Sequence, residues 1–473
     1  MVTTLIIYVF VLFAVAVYAN SKSTNLDEFL VAGRRLTLPF SVGTLFATWF
    51  GAGTLITVSD EVYQTNVLAA AMDPLGAGVC LILAGIFFAR YLWEAKLYTL
   101  QDLFGRCFGV RVEIFTSFAM VPTYFGWIAV QFISLAELLR IFTGLDFQTA
   151  LLLVSFIGAA YTVIGGMWSV TLTDLLQVIL VISGLSILTY EMVYYLANTA
   201  QLQGEVALLG FREGFIWDQT TSKQVFDAMN WFVIGAIGNL PGQDLCQRIF
   251  AAKSATVARR ACLLSGVLYL IAGLMPVFIG LAAKEIFATG LNSGALFEIA
   301  KMMLSPVLLH IFIIAVLSAV LSTVDSAILS PATVIAQNLL PKLFKLTPSK
   351  ALNQACIILV TVISLVTAML GESAYELLQS AYEMQLVALF ACLVIAVYGK
   401  NHNGSAMFWT LMITSGFWVF SKILGIEAYM SSAWDQVFAN FQVSLLVTIA
   451  SFLLYFVLVN KIEDKEAYVR RQI

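Results

Sequence analysis

Ser41-Val-Gly-Thr-Leu-Phe-Ala-Thr-Trp-Phe-Gly-Ala-Gly-Thr54 lies inside an apolar stretch long enough to cross a bilayer, with glycines at 51 and 53 beside Thr48, Trp49 and Thr54. Glycine in a membrane helix usually serves close helix packing. Here the stretch turns polar at Thr57, Ser59, Asp60 and Glu61, which favours a break. Unwound backbone at membrane depth must line a cavity, because lipid cannot satisfy its N–H and C=O groups. A second interruption, Gly235-Ala-Ile-Gly-Asn-Leu-Pro-Gly-Gln243, contains Pro241, which lacks a backbone donor. Interrupted stretches at corresponding places in two halves point to a carrier built from inverted repeats.

The rest of the chain is written for the same solvent. Of 473 residues, 60% are hydrophobic and 11% charged, under half the charged share of a soluble domain, about 25%. Mean hydropathy is +0.92. This excludes a soluble enzyme and a disordered chain. A net charge of −3 without a basic block argues against nucleic acid as a partner. The six cysteines lack metal-ligand spacing and read as apolar packing residues.

A span needs roughly 20 mostly apolar residues. Thirteen stretches qualify: 2–20, 38–59, 67–90, 112–139, 146–165, 170–196, 225–248, 257–283, 304–336, 351–370, 375–399, 405–424 and 438–460. The first has no basic residues before its apolar run and reads as a retained helix rather than a signal peptide. The interrupted stretches, second and seventh, are five apart. That spacing predicts one transporter unit over 1–473: an extra helix and loop (1–37), a first repeat (38–196), a second (225–399) and two closing helices (405–460).

Most Lys and Arg fall in alternate loops, among them Arg34, Arg35, Lys96, Arg106, Lys253, Arg259, Arg260 and Lys345, with Lys461, Lys465, Arg470 and Arg471 in the tail. The positive-inside rule then puts the N-terminus outside and the C-terminus in the cytoplasm of a multi-pass protein in the cell (inner or plasma) membrane. The loop 197–224 and the acidic segment 425–437 are expected outside.

The ninth stretch contains Ser318-Ala-Val-Leu-Ser-Thr-Val-Asp-Ser326. Spacing of three and four places Ser318, Ser322, Asp325 and Ser326 on one helix face. Hydroxyls and free carbonyls suit a small hard cation. Two hydroxyls could equally be back-bonded to their own helix, but a carboxylate at that depth marks an ion or substrate path. Asp174, in Ser169-Val-Thr-Leu-Thr-Asp-Leu-Leu-Gln177, reads equally as a helix N-terminal acid or as part of such a path.

Four motifs carry a family resemblance: Phe29-Leu-Val-Ala-Gly-Arg34, Gly165-Gly-Met-Trp-Ser-Val-Thr-Leu-Thr-Asp174, Gln247-Arg-Ile-Phe-Ala-Ala-Lys-Ser254 and Ser318-Ala-Val-Leu-Ser-Thr323. In this order the chain resembles the sodium:solute symporter family, which includes sugar, proline, sialic acid and choline carriers. The resemblance implies an all-α integral membrane fold of about 13 helices, with two inverted five-helix repeats of the LeuT type. It also implies Na⁺ as coupling ion, with no other cofactor. By position, the first sodium site would take carbonyls of Ala47, Phe50 and Ala319 and hydroxyls of Ser322 and Thr323. A further site, present in some relatives, would fall on Asp174, Ser322, Asp325 and Ser326, where Asp325 serves as a sodium ligand or as a proton or release group.

The motifs look nearest to the choline-carrier branch. A quaternary ammonium donates no hydrogen bond and is held by aromatic faces, which Trp49 and Trp127 would supply; Ala77 and Gly242 stand where those carriers place aromatics. Asp73, Gln131, Gln243, Asp244, Tyr382, Glu383 and Gln385 are polar residues of the bundle without an obvious structural duty. Glu383, with or without Asp73, is expected to receive an amine. The expected substrate set is Trp49, Gly53, Asp73, Tyr124, Trp127, Gln131, Gln243, Tyr382 and Glu383, for a cationic or zwitterionic, choline- or amino-acid-like solute. Rival readings are a solute sensor built on a transporter fold and a proton-coupled carrier. A channel lacks a repeated filter sequence. An enzyme lacks a nucleophile–base pair, since His310 and His402 are the only histidines.

Overall fold

A computed structural model describes residues 2–203, 222–287, 290–291, 294–370, 374–426 and 441–463. Most of the 197–224 loop, nearly all of 425–437 and the tail beyond 463 lie outside these, so the expectations placed on them are not addressed. The described chain is helical: α1 (Val2–Asn20), α2 (Leu26–Val31), α3 (Leu38–Trp49), α4 (Gly53–Gln64), α5 (Val67–Glu94), α6 (Leu100–Phe108), α7 (Val110–Thr143), α8 (Phe147–Gln203), α9 (Ser222–Gly238), α10 (Gln243–Ala251), α11 (Ala255–Ile286), α12 (Ala295–Met303), α13 (Pro306–Phe344), α14 (Lys350–Met369), α15 (374–398), α16 (Gly404–Ile423) and α17 (Val443–Leu458). Among the described residues, nine helices are long and apolar enough to cross a membrane, and the bent pair α3–α4 makes a tenth.

Three of the thirteen stretches are missing from that count: the seventh is broken between α9 and α10 at 239–242, and two further features account for the others. As a straight helix, the 57 residues of α8 would reach about 85 Å at 1.5 Å per residue, far beyond a hydrocarbon core of about 30 Å. They turn at Gly166, where φ is +56° and an added Cβ would stand 2.6 Å from the Phe29 carbonyl oxygen. Only glycine adopts that backbone without strain. The second feature is α17, apolar but short. Ile86, Phe87, Phe118, Phe156 and Ile271 are among many large apolar side chains left facing outward, as a lipid-facing surface requires.

Loops that the charge pattern groups together do meet. The N–H of Leu36 donates to Ala251 O (3.1 Å), and that of Lys253 to Leu36 O (2.9 Å). Arg34 donates to Leu97 O and Phe250 O at 2.9 and 3.2 Å, and Lys350 to Ser23 O at 2.9 Å. The end of α4, the end of α11 and the start of α12 form a separate group: Ala295 N–H donates to Asp60 Oδ1 (2.6 Å) and Tyr63 OH to Phe287 O (3.0 Å). Between these faces α13 packs on α8 and α7, while α3 packs on α8, α11 and α13.

Candidate functional site

The chain bends by 59° between α3 and α4. Phe50 leaves the helix at φ −78°, ψ +62°, and two N–H groups that would continue it go elsewhere. Gly51 N–H donates to Trp49 O at 2.8 Å, and Ala52 N–H to Gln131 Oε1 at 2.9 Å. The carbonyls of Ala47 and Thr48 thereby lose their usual donors four residues on. An added Cβ at Gly51 would run into Thr323 Oγ1 and lie 2.8 Å from Gln131 Oε1. The break is therefore held by α13 on one side and α7 on the other.

The Ala47 carbonyl accepts from Ser322 Oγ (3.1 Å) and Thr323 Oγ1 (3.3 Å). Both hydroxyls also reach Ala319 O, at 2.6 and 3.3 Å. Four oxygens from two helices thus converge, all buried, with no nitrogen or sulfur among them. Such a set suits a hard cation; the hydroxyl protons would rotate away and their oxygens serve as ligands.

Beside the break a narrow cavity is lined by Trp49, Trp127, Asn239, Asp244, Ala381, Tyr382 and Gln385. At about 10 Å³ it has room for one water, so a solute enters only when the helices part. Asp244 is the carboxylate on this wall. It stands in the first turn of α10, where a helix end favours negative charge. Its two oxygens accept from Trp49 Nε1 and Tyr124 OH, each at 2.5 Å. Tyr124 in turn lies 5.8 Å from Trp127, ring centre to ring centre.

A second polar network lies one turn further along α13. Thr44 Oγ1 donates to Asp174 Oδ2 (2.5 Å) and Ser326 Oγ to Asp325 Oδ1 (3.0 Å). Arg248, fully buried, donates to Asp244 O (2.9 Å), Thr44 O (3.3 Å) and Ser326 Oγ, with both carboxylates inside its electrostatic reach. Asp174 Oδ1 and Asp325 Oδ2 are buried without a hydrogen-bond partner, as are the hydroxyls of Ser318 and Ser169. One guanidinium against two carboxylates leaves the cluster short of positive charge when both are ionised, and orphaned oxygens of that kind fit a further cation or proton.

Of the expected substrate residues, Trp49, Trp127 and Tyr382 line the cavity, Tyr124 holds Asp244, and Gln131 braces the break. Gly53 and Asp73 lie behind it, where Asp73 accepts from Thr54 (2.9 and 3.1 Å) and Tyr269 (3.0 Å). Two expected residues turn away from both the cavity and the break. Gln243 spends its amide on the loop before α6, accepting from Leu100 N–H and donating to Tyr98 O, both at 2.9 Å. Glu383 turns to α16, where Lys422 Nζ (3.2 Å) and Trp418 Nε1 (3.3 Å) meet its carboxylate. It is therefore already paired and is not an open amine receptor. Asn239, Asp244 and Gln385, which the expected substrate set does not include, line the cavity, and Arg248 lies beside it, donating to Asp244 O.

A family model described as the sodium:solute symporter family matches residues 29–414. The human high affinity choline transporter 1 is 26% identical over 440 residues, covering 87% of this chain and 73% of that protein. The sodium/pantothenate symporter of Haemophilus influenzae is 24% identical over 448 residues, 90% and 91%. Among solved structures, a Na⁺-coupled sialic acid symporter in a substrate-bound outward-open state aligns at a TM-score of 0.80 with 17% identity, covering 98% of each chain. The nucleobase-cation-symport-1 family transporter Mhp1, in a closed conformation, aligns at 0.62 with 15% identity, 94% and 98%.

Proposed function

We propose a function from one premise: the chain belongs to the sodium:solute symporter family. Its activity at that level is Na⁺-coupled symport of a solute by a multi-pass protein of the plasma membrane. Beyond it, we infer that the solute is cationic, with a quaternary ammonium as the best fit. One observation carries this reading. The cavity's carboxylate, Asp244, has both oxygens already accepting, from Trp49 and Tyr124. With each oxygen already held by one neutral donor, it contributes a negative charge that no basic residue of the lining offsets, and the surrounding faces are the aromatic ones of Trp127 and Tyr382. A quaternary ammonium asks for charge and aromatic surface and donates nothing. The choline transporters among the relatives support the same class.

In this reading sodium is bound by the carbonyls of Ala47, Phe50 and Ala319 and the hydroxyls of Ser322 and Thr323, and so clamps α3 to α13. The clamp fixes the segment that carries Trp49, and with it one wall of the solute cavity. The cluster of Asp174, Ser322, Asp325 and Ser326 is the second cation or proton site and the inward release path, supported by its two orphaned carboxylate oxygens. The repeats run over 38–196 and 225–399, each opening with a broken helix, at 50–52 and at 239–242. Alternating access is the rocking of one bundle against the rest, with the N-terminus outside.

Thermal unfolding of the purified chain in Na⁺ against K⁺ tests this, across choline, betaine, lysine, alanine, glucose and a dicarboxylate. A ligand at 100 times its Kd adds about 2.7 kcal/mol to the folded state, an easily read shift. A shift requiring both Na⁺ and a quaternary ammonium is expected. A solute shift indifferent to Na⁺ overturns the sodium site, and one confined to glucose or the dicarboxylate overturns the cationic reading.

A further inference from the structure

Outside the transport path, the basic-loop face holds a cleft of about 680 Å³ between the end of α5 and the start of α11. The two helices pack closely just above it: an added Cβ at Gly85 would lie 3.0 Å from Cys262 Cβ and 3.1 Å from Arg259 O. Beyond that contact they part, and Arg90, Arg259 and Arg260 line the opening with Ser254 and Thr256. Glu94 is the one acid there, and it is paired with Arg90 at 2.9 Å.

The charge arrangement is inverted for a helix on its own. The N-terminus of a helix is its positive end and favours anions. The 32-residue α11 has no acidic residue in its first turn, and Arg259 and Arg260 follow in its second. Ser254 Oγ caps a single N–H, that of Val257 (3.2 Å). Two guanidinium groups near a positive helix end repel it unless an anion joins them. Next to the cleft, Ile86 and Phe87 on α5 and Leu264 and Val267 on α11 are about half exposed, a greasy flank running into the bilayer.

We propose that this cleft seats the phosphate of an anionic phospholipid, with its acyl chains along that flank. Basic pockets between membrane helices recognise such headgroups. Arg259 and Arg260 take the phosphate oxygens, the first turn of α11 supplies the open N–H of Thr256, and Leu263 meets the glycerol. The leaflet is the cytoplasmic one under the orientation proposed above; the site itself does not depend on it.

Native mass spectrometry of the full chain from mixed micelles of phosphatidylglycerol or phosphatidylcholine, with thermal unfolding in parallel, tests the proposal. One phosphatidylglycerol per chain is expected to survive detergent removal and to raise the Tm above the phosphatidylcholine value. Arg259→Gln/Arg260→Gln should weaken retention about thirtyfold, while Lys345→Gln, on the same face, leaves it unchanged. If the double variant does not fold, Thr256→Glu gives the reading instead, because it sets a carboxylate in the cleft with the arginines intact. Retention unaffected by whichever variant folds overturns the proposal. So does inorganic phosphate reproducing the stabilisation without lipid, which would make the cleft a free-anion site.

Discussion

In the proposed site Asp244 meets the solute's charge, and the loss of that charge can be separated from the loss of packing. Asp244→Asn keeps the size but drops the charge and leaves one of its two donors, Trp49 Nε1 or Tyr124 OH, facing an amide N–H₂. Attraction between opposite charges a few ångströms apart in a largely dry site, set against their desolvation, is worth about 2 kcal/mol, so choline affinity should fall roughly thirtyfold. Affinity for 3,3-dimethyl-1-butanol, in which carbon replaces the ammonium nitrogen, should change little. Equal losses for both, measured by competition binding, would make Asp244 a packing residue. Sequence alone does not single out Asp244 over Gln243 and Glu383, for a geometric reason. Adjacent residues on a helix point about 100° apart, so in α10 Gln243 faces the loop before α6 while Asp244 faces the cavity. Where α10 starts depends on the break at 239–242, which cannot be phased from sequence. Glu383 is answered by Lys422, 39 residues later on another helix, a pairing that no local pattern carries. Ser318, Ser322 and Asp325 can be read from spacing alone because they share one helix face, whereas Thr323, one residue off that face, enters only through the family resemblance.

At the scale of elements, the site exists because α3 ends early. The glycines at 51 and 53 announce the interruption, and the observed break falls at 50–52, with the span running on to Gln64 rather than stopping near 59. The turn at Gly166 lies between two expected stretches, because a 57-residue apolar run cannot cross once. The family resemblance already pairs the broken span with the ninth stretch; what the sequence does not convey is the contact by which that helix closes over the break. The helix is α13, and the contact is Thr323 against Ala47 O and the space left by Gly51. Thr323→Ala tests the clamp between these elements. If Thr323 binds the cation, its loss weakens sodium binding and, through the same two helices, solute binding. Linkage demands one coupling factor in both directions, so the two apparent affinities should each fall, by about tenfold for the lost contact to a charged ion. Sodium affinity from scintillation-proximity binding that stays at the wild-type value, with solute affinity alone reduced, would move Thr323 to the solute site.

For the whole molecule, the loops bearing most of the basic residues share one face, joined by Leu36 to Ala251 and Lys253, by Arg34 to Leu97 and Phe250, and by Lys350 to Ser23. Thr65 and Lys284 mark the opposite group, with Lys284 Nζ donating to Thr65 O at 2.5 Å. Geometry fixes which loops go together; only charge bias says which group faces the cytoplasm. In the proposed orientation sodium loads from Thr65's side and leaves past Asp174, which drives solute inward. Single cysteines in a cysteine-free background decide it. Thr65→Cys and Lys345→Cys are both at exposed positions. In right-side-out vesicles an impermeant maleimide should label Thr65→Cys directly and Lys345→Cys only after permeabilisation. The reverse pattern would turn the molecule over. The orphaned oxygens of Asp174 and Asp325 would then face the sodium-rich side, and the cluster would become the place where sodium loads rather than the place it leaves.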